Sequence, residues 1–128
     1  MGLELYMVGV MVKDMGKAVE FYRRLGVDIP EGSENQQFIP IKMGEMTFFL
    51  NTHELNVRWD PAKTEAAGGG YRIILEFYLK TRPEVDAKYA EMISYGYESH
   101  VAPFETPFKN YFSMINDPDG NTILISAE

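Results

Sequence analysis

The same order of predicted elements occurs twice along this chain of 128 residues. In each half, alternating apolar residues predict a strand, a period of 3.6 residues predicts a helix, and further strands follow. The predicted strands span residues 5–12, 38–43 and 46–52 in the first half, and 72–79, 98–101, 111–115 and 122–127 in the second. The repeat indicates an α+β fold made of two strand–helix–strand–strand–strand modules that share one sheet system.

Capping residues fix the ends of both predicted helices. Asp14 is suited to begin the first helix and Gly26 to end it. Thr81 and Glu84 match a capping box at the start of the second helix, which we expect to stop at Gly96.

The length of the chain favours a single domain over residues 1–128. Module one spans about residues 1–53, a connector about 54–70, and module two about 71–128. Within the connector, Asp60, Pro61 and Gly68 outline a short helix. We expect the three glycines at 68–70 to form a joint, because a strand and not a phosphate-binding helix follows them.

Composition excludes several classes of function. The chain has no cysteine, which excludes disulfides, thiolate metal sites and cysteine nucleophiles. Twelve basic and 19 acidic residues give a net charge of −7, which disfavours nucleic acid and anionic membranes and favours cationic small molecules. Because there is neither a signal-peptide pattern nor a long apolar run, we expect a cytoplasmic protein without membrane contacts.

Two motifs carry a family resemblance. The segment Val8–Asp14 reads V-G-V-M-V-K-D and runs into A-V-E-F-Y-R-R-L-G at Ala18–Gly26, and D-P-D-G-N stands at Asp117–Asn121. Together they resemble the vicinal oxygen chelate superfamily, also called the glyoxalase/bleomycin-resistance/dioxygenase superfamily. The resemblance implies two βαβββ modules whose mixed sheet curls around a concave pocket, commonly in a homodimer.

The resemblance also locates the seats of a possible metal. Enzymes of this family place His or Gln in the first strand of each module and Glu in the last strand. Aligning the motifs puts Met7 and Arg72 in the early seats. Counting four residues beyond the turn glycines Gly44 and Gly120 puts Phe48 and Leu124 in the late seats. Three of these side chains offer no donor to a hard cation. The guanidinium of Arg72 would repel a metal by roughly 4 kcal/mol per unit charge at about 4 Å. We therefore predict no metal, no other cofactor and no catalytic residue.

A metal-free binding protein for an aromatic or cationic small molecule is the favoured hypothesis. The resemblance is nearest to the bleomycin-resistance branch, and this implies antibiotic sequestration by a homodimer. The predicted ligand-binding residues supply apolar contact, stacking surfaces and polar groups, and they are Met7, Phe48, Leu50, Leu124, Trp59, Phe104, Tyr111, Arg72 and Glu76. Packing of Trp59 at a subunit contact and a structural Arg72–Glu76 ion pair are equally compatible with the sequence.

An enzyme of another type is the alternative hypothesis. An isomerase, lyase or dioxygenase with a displaced metal, or with none, would need donors such as His53 and His100, the only histidines. The sequence favours two exposed histidines outside any ligand motif. A third hypothesis is a degenerate family member that serves as an interaction subunit.

Overall fold

The computed structural model describes residues 7–55, 73–107 and 109–128. The chain divides into two compact units, Met1–Gly68 and Gly69–Glu128. Each unit contains a mixed sheet and a helix, so the α+β fold class is confirmed. The predicted connector helix at 60–68, the three glycines, Trp59 and Arg72 lie outside the described residues. That the two modules form a single domain stays a prediction.

The first unit contains a three-stranded sheet in the order β1-β3-β2. Strand β1 is parallel to β3, and β2 is antiparallel to it. The elements are β1 (Met7–Val12), α1 (Met15–Leu25), β2 (Phe38–Met43) and β3 (Met46–Thr52). Gly44 and Glu45 form the predicted two-residue turn between β2 and β3.

The described part of this unit has three strands, one fewer than the predicted βαβββ pattern requires. A 3₁₀ turn, Ser33–Asn35, stands between α1 and β2. Arg23 explains the difference, because Nε donates to the carbonyl of Ile29 at 3.1 Å and Nη2 donates to that of Pro30 at 2.5 Å. Its Nη1 also lies 2.7 Å from the carboxylate of Glu34. These contacts hold residues 29–34 against the end of α1, so this segment does not pair with a strand of the sheet.

Local signals place α1 as predicted. Asp14 Oδ1 accepts from the Lys17 amide at 3.0 Å, and Gly26 ends the helix with a φ of 124°. The buried face of α1 includes Phe21 and Tyr22, whose rings meet edge to face at 4.9 Å. The aromatic pair of the family motif therefore belongs to the core of the first unit.

The second unit contains a four-stranded sheet in the order β4-β7-β6-β5. Strand β4 is parallel to β7, and the other neighbours are antiparallel. The elements are β4 (Ile74–Tyr78), α2 (Arg82–Ser94), β5 (Glu98–Glu105), β6 (Tyr111–Asn116) and β7 (Thr122–Ala127). This unit has the complete βαβββ pattern.

Thr81 is the N-cap of α2, as predicted. Thr81 Oγ1 accepts from the amide of Glu84 at 3.3 Å and donates to its carboxylate at 2.9 Å. Val85 and Met92 of α2 are fully buried, and Ile115, Ile123 and Ile125 of the sheet are buried with them. The hydrophobic core of the second unit thus uses one face of its sheet.

Strand β5 is longer than predicted. It continues from Val101 through Pro103 and Phe104 to Glu105, where the sequence predicted a loop. β5 is an edge strand, where proline is tolerated because no partner needs its missing amide. Register shifts at Ser99/Val101 and Val101/Phe104 break the ladder with β6.

No helix in the described part of the chain is long and apolar enough to cross a membrane.

Candidate functional site

A cavity of about 340 Å³ lies on the sheet of the second unit. It is lined by Glu76, Tyr78, Thr106, Asn110, Phe112, Leu124, Ser126, Ala127 and Glu128. Its volume is near the lower end of the range for small-molecule sites. The strand residues that form its floor alternate with those that pack in the core, so the floor is on the face of the sheet away from α2.

Glu76 and Leu124 form the centre of the cavity floor. They are direct partners in the parallel pairing of β4 with β7, so both side chains project from the same face. Ser126 follows on that face, and its hydroxyl donates to Glu76 Oε2 at 2.7 Å. Ser126 is buried and Glu76 is exposed, so the hydroxyl anchors one carboxylate oxygen while the other stays accessible.

Aromatic rings border the floor. Phe112 of β6 lines the cavity, and Phe104 of β5 meets it edge to face at a centroid distance of 4.9 Å. The two residues are direct partners across the strands. Tyr78, with 57% of its surface exposed, lines the cavity from the end of β4. The cavity therefore offers flat apolar surfaces beside a carboxylate.

The turn between β5 and β6 supplies one wall. Thr106 and Asn110 line the cavity from the two ends of this turn. The Thr106 amide donates to the carbonyl of Asn110 at 2.8 Å, and the Asn110 amide donates to Thr106 Oγ1 at 3.2 Å. These two bonds close the turn on itself.

Two predicted ligand-binding residues, Glu76 and Leu124, come together in this cavity, and a third, Phe104, borders it. Tyr111 does not line it. Its hydroxyl donates to Asp86 of α2, and the guanidinium of Arg82 lies 5.0 Å from its ring centroid. Alternation along β6 puts Tyr111 on the helix side and Phe112 on the cavity side. The prediction that Tyr111 faces the pocket is therefore corrected.

The bond between Tyr111 and Asp86 shifts the acidity of the phenol. Ionisation of the hydroxyl would remove the donated hydrogen bond and place two negative charges side by side. The hydrogen bond to Asp86 therefore raises the pKa of Tyr111 above its ordinary value.

In the first unit, the prediction that Phe48 and Leu50 face a ligand pocket is wrong. Both are buried on the side of the sheet that carries α1, and the ring of Phe48 meets that of Tyr22 at 5.5 Å. Met7 projects from the opposite face, because its direct partner in β3 is Thr47 and not Phe48. Phe48 and Leu50 are thus core residues of this unit.

The error arose from counting four residues beyond a turn glycine in both modules. The first hairpin closes from the pair Met43 and Met46, which shares a face with Phe48. The second closes from Asn116 and Thr122, which share a face with Leu124. Asn116 and Thr122 are on the side of their sheet away from the helix, whereas Met43 and Met46 are on the helix side. Counting four residues from the turn glycine therefore leads to opposite faces in the two modules.

Several lining residues were not predicted. Tyr78 and Ser126 are each two residues from a predicted member, so strand alternation already placed them on the correct face. Phe112 follows from the same alternation once the pairing of β6 with β7 is known. Thr106 and Asn110 belong to a turn and have no periodic signal.

Enzymes of the family that the chain resembles hold a divalent metal, and such a metal needs several donor side chains close together. Within residues 7–55, 73–107 and 109–128, no group of three or more His, Cys, Asp or Glu side chains could hold a metal. On the floor, Glu76 offers carboxylate oxygens, whereas Leu124 and Phe112 offer none. His53 directly follows β3 and His100 is exposed on β5. The described residues do not fit a metal of this kind.

The comparisons with known proteins agree with this architecture. The family model described as "Glyoxalase/Bleomycin resistance protein/Dioxygenase superfamily" matches residues 5–125. A family enzyme from Burkholderia phytofirmans PsJN is similar, with a TM-score of 0.82, 24% identity, and 98% of each chain covered. Hypothetical protein SA1046 from S. aureus has a TM-score of 0.80 and 20% identity, over 100% of this chain and 95% of that one.

Lactoylglutathione lyase from Agrobacterium tumefaciens is also similar, with a TM-score of 0.71 and 20% identity, over 97% of this chain and 92% of that one. At these identities the structural likeness shows the fold. The comparison with curated proteins gives no match. The family match covers almost the whole chain, and the chain belongs to the glyoxalase/bleomycin-resistance/dioxygenase superfamily.

Proposed function

We propose that this protein binds a small aromatic organic cation, without a metal, in the cavity of the second unit. One observation carries the proposal: the Glu76 carboxylate, oriented by the Ser126 hydroxyl, stands on a floor otherwise formed by Leu124 and Phe112. Such a site combines apolar contact with a single directed charge.

Charge favours a cation over an anion. Of the described residues that line the cavity, Glu76 and Glu128 are acidic and none is basic. A carboxylate that accepts one hydrogen bond keeps lone pairs for a further donor, and bonds between ions are stronger than neutral ones. The net charge of −7 adds a weak attraction at long range.

The rings favour a flat ligand. Phe112 and Tyr78 line the cavity, and Phe104 supports Phe112 from the neighbouring strand. Aromatic faces attract both planar ring systems and organic cations. The proposed contacts are therefore stacking on these rings and an ion pair with Glu76.

Sequestration is the proposed mode of action, and a homodimer is the proposed assembly. Both rest on the resemblance to the bleomycin-resistance branch. The ligand-binding roles predicted for Met7, Trp59 and Arg72 remain predictions.

Binding of 9-aminoacridine, a planar cation at pH 8, tests the proposal against neutral acridine. We expect the cation to bind more tightly, and at one hundred times its Kd it should stabilise the fold by about 2.7 kcal/mol in a thermal-shift assay. Glu76→Gln should weaken binding of the cation about tenfold and leave that of acridine unchanged.

Glu45→Gln is the matched control, because it removes the same charge from an exposed turn of the first unit. The proposal fails if a wider panel of planar cations gives no shift, or if both substitutions weaken binding equally. Elemental analysis adds an independent test. A stoichiometric divalent metal that is lost on replacing His53 or His100 would favour the enzyme hypothesis instead.

A further inference from the structure

Arg82, the first residue of α2, joins three separate parts of the second unit. Its Nε donates to the main-chain oxygen of Glu128 at 3.0 Å, and its Nη2 donates to the carbonyl of Lys109 at 3.2 Å. Its Nη1 lies 3.0 Å from the carboxylate of Glu105. One planar group thus binds the residue after β7, the end of β5 and the turn between β5 and β6.

These partners adjoin the walls of the cavity. Glu128 is a lining residue, and Lys109 directly precedes the lining residue Asn110. Glu105 directly precedes the lining residue Thr106. Arg82 itself does not line the cavity, so any effect it has on a ligand must pass through these partners.

The turn needs such support. Lys109 has a φ of 69°, a left-handed conformation that residues other than glycine seldom adopt. Its amide donates to the Thr106 carbonyl at 2.9 Å, and Arg82 binds its carbonyl. Lys109 is therefore held by hydrogen bonds at both its amide and its carbonyl group.

The guanidinium is itself oriented by its surroundings. It lies over the ring of Tyr111, and the hydroxyl of that ring is bound to Asp86 of the same helix. Lysine could replace it only in part, because a single ammonium group lacks a rigid fork of donors.

We propose that Arg82 is a positioning residue that sets the wall of the ligand cavity by fixing the turn between β5 and β6. The inference rests on the proposed function, since it assigns to that cavity a residue that touches no ligand. A simple surface ion pair with Glu105 would contribute little, whereas the two contacts with main-chain oxygens constrain the backbone of the wall.

Amide hydrogen exchange tests the positioning without any ligand. In Arg82→Gln, we expect exchange at Thr106, Lys109 and Asn110 to accelerate at least tenfold, while the amides of β7 that pair with β6 keep their protection. Arg82→Lys should give an intermediate acceleration. Arg24→Gln is the matched control, because it breaks the surface pair with Glu20 on α1 and should leave the turn unchanged.

The second readout is the affinity for 9-aminoacridine. Arg82→Gln should raise its Kd at least fivefold, with Arg82→Lys between this value and the unsubstituted protein. Unchanged exchange in the turn overturns the inference, as does faster exchange with an unchanged Kd. If the unsubstituted protein binds no planar cation, the proposed function fails, and the exchange data alone decide whether Arg82 fixes the turn. A uniform loss of protection across the unit would show a general structural role and would also overturn it.

Discussion

The ring of Phe49 lies directly over Gly9, the residue that faces it across the parallel pair β1 and β3. A Cβ atom at position 9 would stand 2.0 Å from Phe49 Cζ, a distance that two non-bonded carbon atoms do not tolerate. Phe49 also contacts the ring of Phe38, at a centroid distance of 5.2 Å. The absence of a side chain at Gly9 thus allows an aromatic pair to lie on the sheet of the first unit.

Gly9→Ala should therefore destabilise the protein by about 1–3 kcal/mol, because the ring of Phe49 must leave its position. Urea unfolding of Gly9→Ala, Phe49→Ala and the double variant measures the coupling. The effect of Gly9→Ala should largely disappear in the Phe49→Ala background, since the clash is then gone. Additive effects would contradict the contact.

Ser113 and Ser126 provide a matched pair of hydroxyl deletions. Ser113 Oγ is fully buried on the helix side of β6 and has no hydrogen-bond partner among the described residues. Ser113→Ala should then raise the free energy of unfolding by about 1 kcal/mol, because an unpaired hydroxyl is no longer desolvated. Ser126→Ala, which removes the donor to Glu76, should not stabilise. Chemical denaturation measures the free energy of unfolding of both variants. A loss of stability in Ser113→Ala would reveal a partner for this hydroxyl and contradict the prediction.

The carboxylate of Asp117 organises the turn between β6 and β7. It accepts from the amides of Asp119 and Asn121 at 2.9 and 2.8 Å, and from Asn121 Nδ2 at 2.8 Å. Asp117→Ala should cost about 2–3 kcal/mol, because these partly buried donors lose their acceptor. Asp117→Asn should cost less, since its remaining oxygen can still accept from the two amides. Equal costs in thermal unfolding would show that the carboxylate does not organise the turn.

Tyr111 gives a prediction at alkaline pH. The hydrogen bond to Asp86 raises the pKa of Tyr111 in the folded protein. Because this pKa is above the unfolded value of about 10, the stability from the bond is fully present below pH 10 and is lost as the pH rises through the folded-state value. Titration at 295 nm, as the difference between the protein and Tyr111→Phe, isolates this phenol among eight tyrosines. Asp86→Asn should lower its midpoint, and an unchanged midpoint would contradict the assigned cause.

Local signals in the sequence predicted the fold well. The caps at Asp14, Gly26 and Thr81 depend on bonds within four residues, and the structure has all of them. The last strand begins at Thr122 as predicted, because a turn motif directly precedes it. Elements with such local determinants need no knowledge of the remaining chain.

Site prediction depended on information that is not local. Alternation along its strand placed Glu76, motif alignment placed Leu124, and the pairing of β4 with β7 brings the two together. Phe48 was misplaced because the face of a strand depends on which residue pair closes its hairpin. Tyr111 was misplaced because its partner, Asp86, is 25 residues away in sequence on α2. Thr106 and Asn110 required the geometry of a turn.

Prolines in two of the four edge strands of the described sheets have a consequence for the behaviour of the protein at high concentration. Pro40 lies in β2 and Pro103 in β5, and each of these strands is at the edge of its sheet. An incoming strand from another molecule would find a missing donor in each, and in β5 also an interrupted ladder. The edges formed by β2 and β5 are therefore poor templates for pairing with a strand of another molecule.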